Sequence, residues 1–221
     1  RRIEAGYRGT FRHNDSDYRR FNYNYTMTDW FPDSLASNHY IYDANIHAVY
    51  GIYSRELGRL QSQLGLRIEQ FNTNNNLVTI DSSFQKNYFS MFPTIHFRYA
   101  LTENQGLQVS YSRRVHRPHT WQVSPFVDYS DPYNLSSGNP KLKPEYIDVA
   151  EIEHSYENRK TSINTSLFYR QVNGMITRLT ELQEGGITFT TYQNLNNGVS
   201  YGIESVISHN LTHWWRINTN I

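Results

Sequence analysis

No cysteine occurs among the 221 residues, so disulfides and thiol-ligated metals are excluded from this stretch. Long apolar runs are missing too. The longest, Ala48 to Tyr53, contains a glycine and falls far short of the roughly 20 residues that a spanning helix needs. Neither sign of charge prevails, with 21 basic against 20 acidic side chains. That balance lacks the clustered basic surface of a nucleic-acid binder, and no nucleic-acid partner is expected. The first residues, Arg1-Arg2-Ile3-Glu4, are neither an initiator methionine nor a signal peptide. Both they and Arg216 to Ile221 read as the middle of a strand, so both ends are expected to be truncated.

Aromatic residues, by contrast, are plentiful: 15% of the chain, including 18 tyrosines and 11 phenylalanines, against a hydrophobic total of only 38%. The mean hydropathy is −0.70. A hydrophilic average with heavy aromatic content suits a protein with one face toward lipid and the other toward water, because the average conceals the membrane face.

The dominant pattern has a period of two. Ile3, Ala5, Tyr7 and Phe11 alternate with Glu4, Arg8 and Thr10; Leu64, Leu66 and Ile68 with Gln63, Arg67 and Glu69; Leu107, Val109, Tyr111 and Val115 with Gln108, Ser110, Ser112 and Arg114. Successive strand side chains point to opposite faces, so each such segment has one apolar and one hydrated face. Ile3, Tyr7, Phe11, Leu64, Leu66 and Ile68 are expected on a convex outer surface, and Arg67, Glu69, Gln108 and Arg114 on the concave side. Arg113 breaks the pattern on an apolar face, and Phe168 on a polar one.

About ten strands are expected on this pattern, near 1–12, 18–28, 40–54, 59–72, 86–101, 106–116, 144–156, 161–181, 187–211 and 213–221. Their connections alternate. His13–Asp17, Arg55–Gly58, Thr102–Gln105, Glu157–Lys160 and a turn near Thr212 are tight; Asp29–His39, Thr73–Gln85 and Arg117–Lys143 are long. Leu182–Gly186 is short but joins two long strands that would project beyond a bilayer. Short turns at one end and large loops at the other characterise outer-membrane barrels, and a soluble sandwich has no reason to sort its loops that way. The fold predicted is all-β: an antiparallel up-and-down transmembrane β-barrel, partial, with about ten strands of a larger barrel.

The most distinctive stretch is Val109 to Tyr146. Tyr111-Ser112-Arg113-Arg114 is followed by Arg117-Pro118, by Asp131-Pro132-Tyr133, and by Gly138-Asn139-Pro140-Lys141-Leu142-Lys143-Pro144-Glu145-Tyr146. In the last of these, Gly138 and Asn139 permit a turn while Pro140 and Pro144 hold the backbone extended as it returns to the sheet. Gly138, Asn139, Pro140, Leu142, Lys143, Pro144 and Glu145 are accordingly given a structural role. With Gly65 to Glu69, Tyr192-Gln193-Asn194, Gly202-Ile203-Glu204 and Trp214-Trp215, these motifs resemble the outer membrane β-barrel family of TonB-dependent receptors common in Bacteroidetes.

The resemblance spans the whole chain and implies an energy-coupled transporter of about 22 strands with an N-terminal plug in its lumen. Residues 1–221 would then be one barrel segment, without plug domain or signal peptide. The partners implied are outer-membrane lipid, the protein's own plug, the inner-membrane energy-transducing TonB complex, and an unknown small-molecule or oligomeric ligand. The location implied is the outer membrane of a Gram-negative bacterium, and no cofactor is implied.

Chemistry-bearing groups give weaker signals. His116 and His119 lie three apart, but Pro118 constrains the backbone between them and no carboxylate or cysteine stands at ligand spacing, so no metal site is expected. No nucleophile elbow, phosphate loop or paired-carboxylate signature appears, and the chain is not expected to be an enzyme. Arg117, His119, Trp121, Asp128, Tyr129 and Asp131, in the longest loop, are the candidate ligand-facing residues. Trp30-Phe31, Tyr40 and Tyr42, and Trp214-Trp215 fall near strand ends, where an interfacial girdle competes with ligand stacking; for Trp214-Trp215, which follow a tight turn, the girdle is expected. The alternative function is a non-transporting β-rich surface protein that binds glycan through its aromatic loops.

Overall fold

The computed structural model describes residues 1–195 and 197–221, and strands dominate them. In chain order these are β1 (Arg2–Asn24), β2 (Asp29–Leu57), β3 (Leu60–Leu77), β4 (Ser82–Ala100), β5 (Gln105–His116), β6 (Val127–Asp128) and β7 (Asn134–Ser137). They continue with β8 (Glu145–Glu157), β9 (Thr161–Asn173), β10 (Ile176–Leu182), β11 (Thr188–Asn194), β12 (Gly198–Asn210) and β13 (Arg216–Asn220). A 9-stranded antiparallel sheet has the order β1-β2-β3-β4-β5-β8-β9-β12-β13. The four remaining strands form a smaller sheet, β10-β11-β7-β6, in which β11 and β7 run parallel. The large sheet is an open arc: β1 and β13 are its edges and do not pair with each other.

Three expectations about connections need correcting. His13–Asp17 is no turn: β1 runs straight through it, and these residues pair with Asp43 to His39 on β2. Strands 1–12 and 18–28 are therefore one strand, and Asp29–His39 belongs mostly to its partner rather than to a loop. The true turn lies at Tyr25–Thr28, where Asn24 Oδ1 accepts the Thr26 and Met27 amides at 2.9 and 3.1 Å and Thr28 takes a φ of 53°. Likewise the Thr73–Gln85 loop shrinks to a 3-10 turn at Val78–Ile80 between extended strands. Finally, segments 161–181 and 187–211 each break in two. Gly174, at a φ of 68°, turns β10 out of line with β9, and β10 and β11 join the smaller sheet.

The tight connections β2–β3, β4–β5, β8–β9 and β12–β13 all lie at one end of the sheet, and the long excursions lie at the other.

Register assigns the faces. Tyr7 pairs with Val49 and Val49 with Ile68, while Leu64 pairs with Tyr53 and Ile95. These apolar side chains share one face, and they are exposed or half-buried. Arg67, Glu69, Gln108 and Arg114 lie on the opposite face, where Tyr40, Ala44, Ala48 and Phe71 are buried. On β4 the outer series is Phe89, Met91, Pro93, Ile95, Phe97 and Tyr99, and beyond Phe89 it turns polar with Asn87, Gln85 and Ser83. From Phe89 to Tyr99 is about eleven residues, the length of a tilted strand that crosses a bilayer. On β3 the same band runs from Leu60 to Ile68 and gives way to Gln70, Asn72 and Asn74.

Arg113, the apparent exception, does face outward. It lies opposite Asp148 and donates to it at 2.8 Å, and Tyr111 donates to the same carboxylate at 2.6 Å. The charge is thus paired near the upper edge of the apolar band. Trp214 and Trp215 stack 6.2 Å apart beside the β12–β13 turn, at the tight-turn end, where a girdle belongs.

Candidate functional site

On the concave face, polar side chains hold one another. Glu69 is 5% exposed and accepts Arg67 Nε at 2.5 Å on one oxygen. Its other oxygen accepts Arg117, whose guanidinium lies 4.8 Å above the Phe71 ring. Pairing of β4 with β5 stops at Thr94–Ser112, next to Pro93, which has no N–H to donate. Past that point the two strands separate, and residues 117–144 fold back over the inner face.

This loop begins with a single helical turn, α1 (Thr120–Val123), after His119, whose backbone N–H donates to Gln122 Oε1 at 2.8 Å. Gln122 and Val123 are buried beneath it. Trp121 remains exposed, stacked on His119 at 5.8 Å and met edge-on by Tyr192 of β11 at 5.2 Å. Between the loop and the β1–β2 hairpin lies a cavity of about 460 Å³, lined among others by Tyr18, Arg20, Trp121, Asp128, Tyr129 and Tyr192. Arg20 Nη1 donates to the Tyr129 carbonyl at 2.8 Å and so bridges hairpin and loop.

The structure therefore divides the six loop residues singled out in the sequence. Trp121, Asp128 and Tyr129 line the cavity, and His119 backs Trp121. Arg117 sits below, tied to Glu69. Asp131 lies apart in its own turn, where hydrogen bonds from the Asn134 side chain and the Tyr133 amide hold its carboxyl below the usual range. In the sequence pattern Tyr18, Arg20 and Tyr192 fall on ordinary strand positions. Only Tyr192, in the Tyr192-Gln193-Asn194 motif, carried a signal. His116 Nδ1 lies 2.9 Å from Glu145 Oε2. Among the described residues no group of three His, Cys, Asp or Glu side chains is placed to hold a metal ion.

The returning segment from Gly138 to Glu145 fastens the loop. A Cβ on Gly138 would stand 2.5 Å from the Ser124 carbonyl oxygen and 2.6 Å from the Gln122 backbone, so only glycine fits this approach. Asn139 Nδ2 donates to the Tyr192 carbonyl at 2.8 Å, and the Lys143 amide donates to Asn194 Oδ1 at 2.8 Å. Pro140 starts the bend after Asn139, and Pro144 is buried. Glu145 accepts the Ile176 amide at the start of β10. Leu142, 1% exposed, packs among Tyr42, Phe71, Phe84 and Tyr88.

Lys86 Nζ donates to the Leu142 carbonyl at 2.7 Å. Burial lowers its pKa from 10.5 to about 8, because the charged form loses hydration. Folded and unfolded chains both carry the proton below about pH 8. Between pH 8 and 10.5 the unfolded chain binds more of it, so the docked loop gains stability as pH rises through that window. Acylation of Lys86 followed by mass spectrometry across pH is expected to reach half its maximal rate near pH 8. A midpoint near 10.5 would show that the amine is not desolvated.

The model of the outer membrane protein beta-barrel family matches residues 1–221. The chain belongs to that family. Among solved structures it is similar to the copper transporter OprC, with a TM-score of 0.73 and 14% identity over 99% of this chain and 34% of that one. It is similar also to the Serratia marcescens hemophore receptor HasR, solved with HasA and heme (TM-score 0.61, 12% identity, 94% of this chain and 38% of that one). A third is the siderophore receptor PirA from Pseudomonas aeruginosa (0.57, 13%, 99% and 52%). At these identities the likeness is one of fold. This family member spans from 34% to 52% of the length of those three proteins. No curated protein matches it. The fold is a partial outer-membrane barrel, and its place is the outer membrane of Gram-negative bacteria.

Proposed function

We propose that residues 1–221 form part of the barrel of a TonB-dependent receptor of the type common in Bacteroidetes, which takes up a nutrient by ligand-gated, energy-coupled transport. The observation that carries this reading is the aromatic cavity on the loop side of the sheet. It opens between a long hairpin and a loop folded over the concave face, where arriving solute would enter a lumen. The neighbours that share the fold are a copper transporter, a hemophore receptor and a siderophore receptor. For this chain the cargo class is a siderophore, an oligosaccharide or a peptide. Trp121, Asp128 and Tyr129, with Arg20, are the residues assigned to first contact with it. A plug domain and the TonB complex are the partners this mechanism requires.

Deleting the gene in its host and supplying ferric siderophore, heme, oligosaccharide or peptide as the limiting nutrient tests the proposal. Growth on one of them is expected to fail, and uptake by the parent strain is expected to stop when a protonophore collapses the inner-membrane gradient. Unimpaired growth on every nutrient would overturn it. Binding without gradient-dependent uptake would assign the protein to surface glycan capture instead.

A further inference from the structure

Three zones succeed one another along the outer face of β1. Ile3, Tyr7 and Phe11 belong to the apolar band; His13, Asp15, Asp17 and Arg19 follow; then come Phe21 and Tyr23, with Tyr25 just beyond them in the turn. The middle zone is polar and internally paired, with His13 Nδ1 and Asp43 Oδ1 2.7 Å apart, His39 and Asp15 2.7 Å apart, and Arg19 donating to Asp17 at 2.7 Å. The distal zone is aromatic. Tyr23 meets Tyr25 edge-on at 5.1 Å and Trp30, its cross-strand partner, at 5.3 Å. Tyr25 is 86% exposed and Trp30 62%.

The direction of this cluster is fixed by its neighbours. Tyr18 and Arg20 line the cavity on the concave side, so the alternating Phe21 and Tyr23 look the other way, out of the barrel. A cargo in the lumen cannot reach them. Nor can the bilayer, because ten residues separate Phe21 from Phe11, roughly 25 Å along a tilted strand. A contiguous aromatic face exposed to water calls for an occupant.

We propose that this outward face stacks on the saccharide chains of the glycolipid that surrounds the barrel in the outer leaflet of the Gram-negative outer membrane. The surface continues upward from the lipid-facing band, and sugar chains rise from the membrane at that place and height. Pyranose rings present C–H faces that fit tyrosine and tryptophan rings, while their hydroxyls stay hydrated. Stacking on a few exposed rings is weak in free solution. A saccharide tethered in the same membrane reaches an effective concentration in the millimolar range, which suffices for a weak site. The patch offers roughly 500 Å² of aromatic surface, less than the roughly 800 Å² per partner of a stable protein–protein interface, and so favours a narrow flexible chain over a second protein.

The full-length protein in plain phospholipid nanodiscs would be titrated with polysaccharide released by mild acid from the host's own lipopolysaccharide, with saturation-transfer NMR as the readout. The wild type is expected to bind, and Y25A/W30A to bind about tenfold more weakly or worse. F31A, on the opposite face of the same hairpin, is expected to match the wild type. Absence of wild-type binding, equal binding by Y25A/W30A, or an equal loss in F31A would overturn the proposal. So would a wild-type dimer, seen by size exclusion, that Y25A/W30A abolishes, since that would assign the face to a second copy. Nutrient uptake enters none of these readouts, so the result stands apart from the transport reading.

Discussion

Replacing Glu69 with alanine is expected to release the 117–144 loop from the concave face. Glu69 is the one carboxylate that serves both Arg67 and Arg117, and it is buried. Arg117 has no other anionic partner among the described residues, and its Nε is already buried without a hydrogen bond. Removing one member of a buried ion pair leaves the other charge uncompensated and costs about 3–5 kcal/mol. Undocking the loop relieves that cost by returning Arg117 to water. The damage should therefore appear as a local opening rather than as loss of the barrel. Limited proteolysis should cut E69A within 117–144 at least tenfold faster than the wild type, with heat-modifiable gel migration of the barrel retained. The double variant E69M/R117M should recover much of the protection, because an apolar pair then replaces the Glu69–Arg117 charges and Arg67, whose side chain is 32% exposed, keeps access to water. Unchanged protection in E69A would mean that Leu142 and the Gly138 turn hold the loop without it.

Glu69 also marks how far the sequence could be read. That it faces the concave side followed from its place one residue past Ile68 in an alternating strand. Its burial did not, because an acidic residue on a lumen face reads as solvated until a basic side chain 48 positions later is brought onto it. The alternation itself was legible almost everywhere, since one face meets hydrocarbon and the other does not. Turns were legible where glycine or proline fixes the backbone, as at Gly58 with a φ of 57°, and in the segment from Gly138 to Pro144. The reading failed at His13–Asp17, for a physical reason. Above the bilayer both faces of a strand are wet, so a strand acquires the same Asn, Asp and Ser that a turn would. Meanwhile the true turn at Tyr25–Thr28 contains no glycine and relies on the Asn24 side chain. For Trp30 and Phe31 the sequence leaves girdle and ligand stacking both open. Nothing local distinguishes an aromatic pair at the headgroups from one at the tip of a long hairpin. Of the cavity, the loop side was legible from its aromatic and acidic residues. Tyr18 and Arg20, which come from a strand, were not.

A charge placed at Leu64 tests the membrane reading most severely. Leu64 is the middle position of the outer band on β3, which runs from Leu60 to Ile68, and its cross-strand partner Ile95 lies near the middle of the band on β4. An arginine there must lie in hydrocarbon near the bilayer centre, at a cost of about 2–4 kcal/mol in a transmembrane barrel. Gln63, one residue away, points to the concave side opposite His96, so an arginine there meets water. L64R should thus lower the fraction of full-length protein assembled in the outer membrane several-fold, and lower its unfolding temperature in bilayers, while Q63R leaves both near wild type. Transfer to detergent micelles, which deform around a long side chain, should shrink the gap between the two variants. In a soluble β-sandwich Leu64 would be a core position instead. L64R would then be as harmful in buffer as in a bilayer, and the barrel assignment would fall with it. Adjacent residues with opposite tolerance for the same substitution, and only in a membrane, are what a period-two strand between lipid and lumen requires.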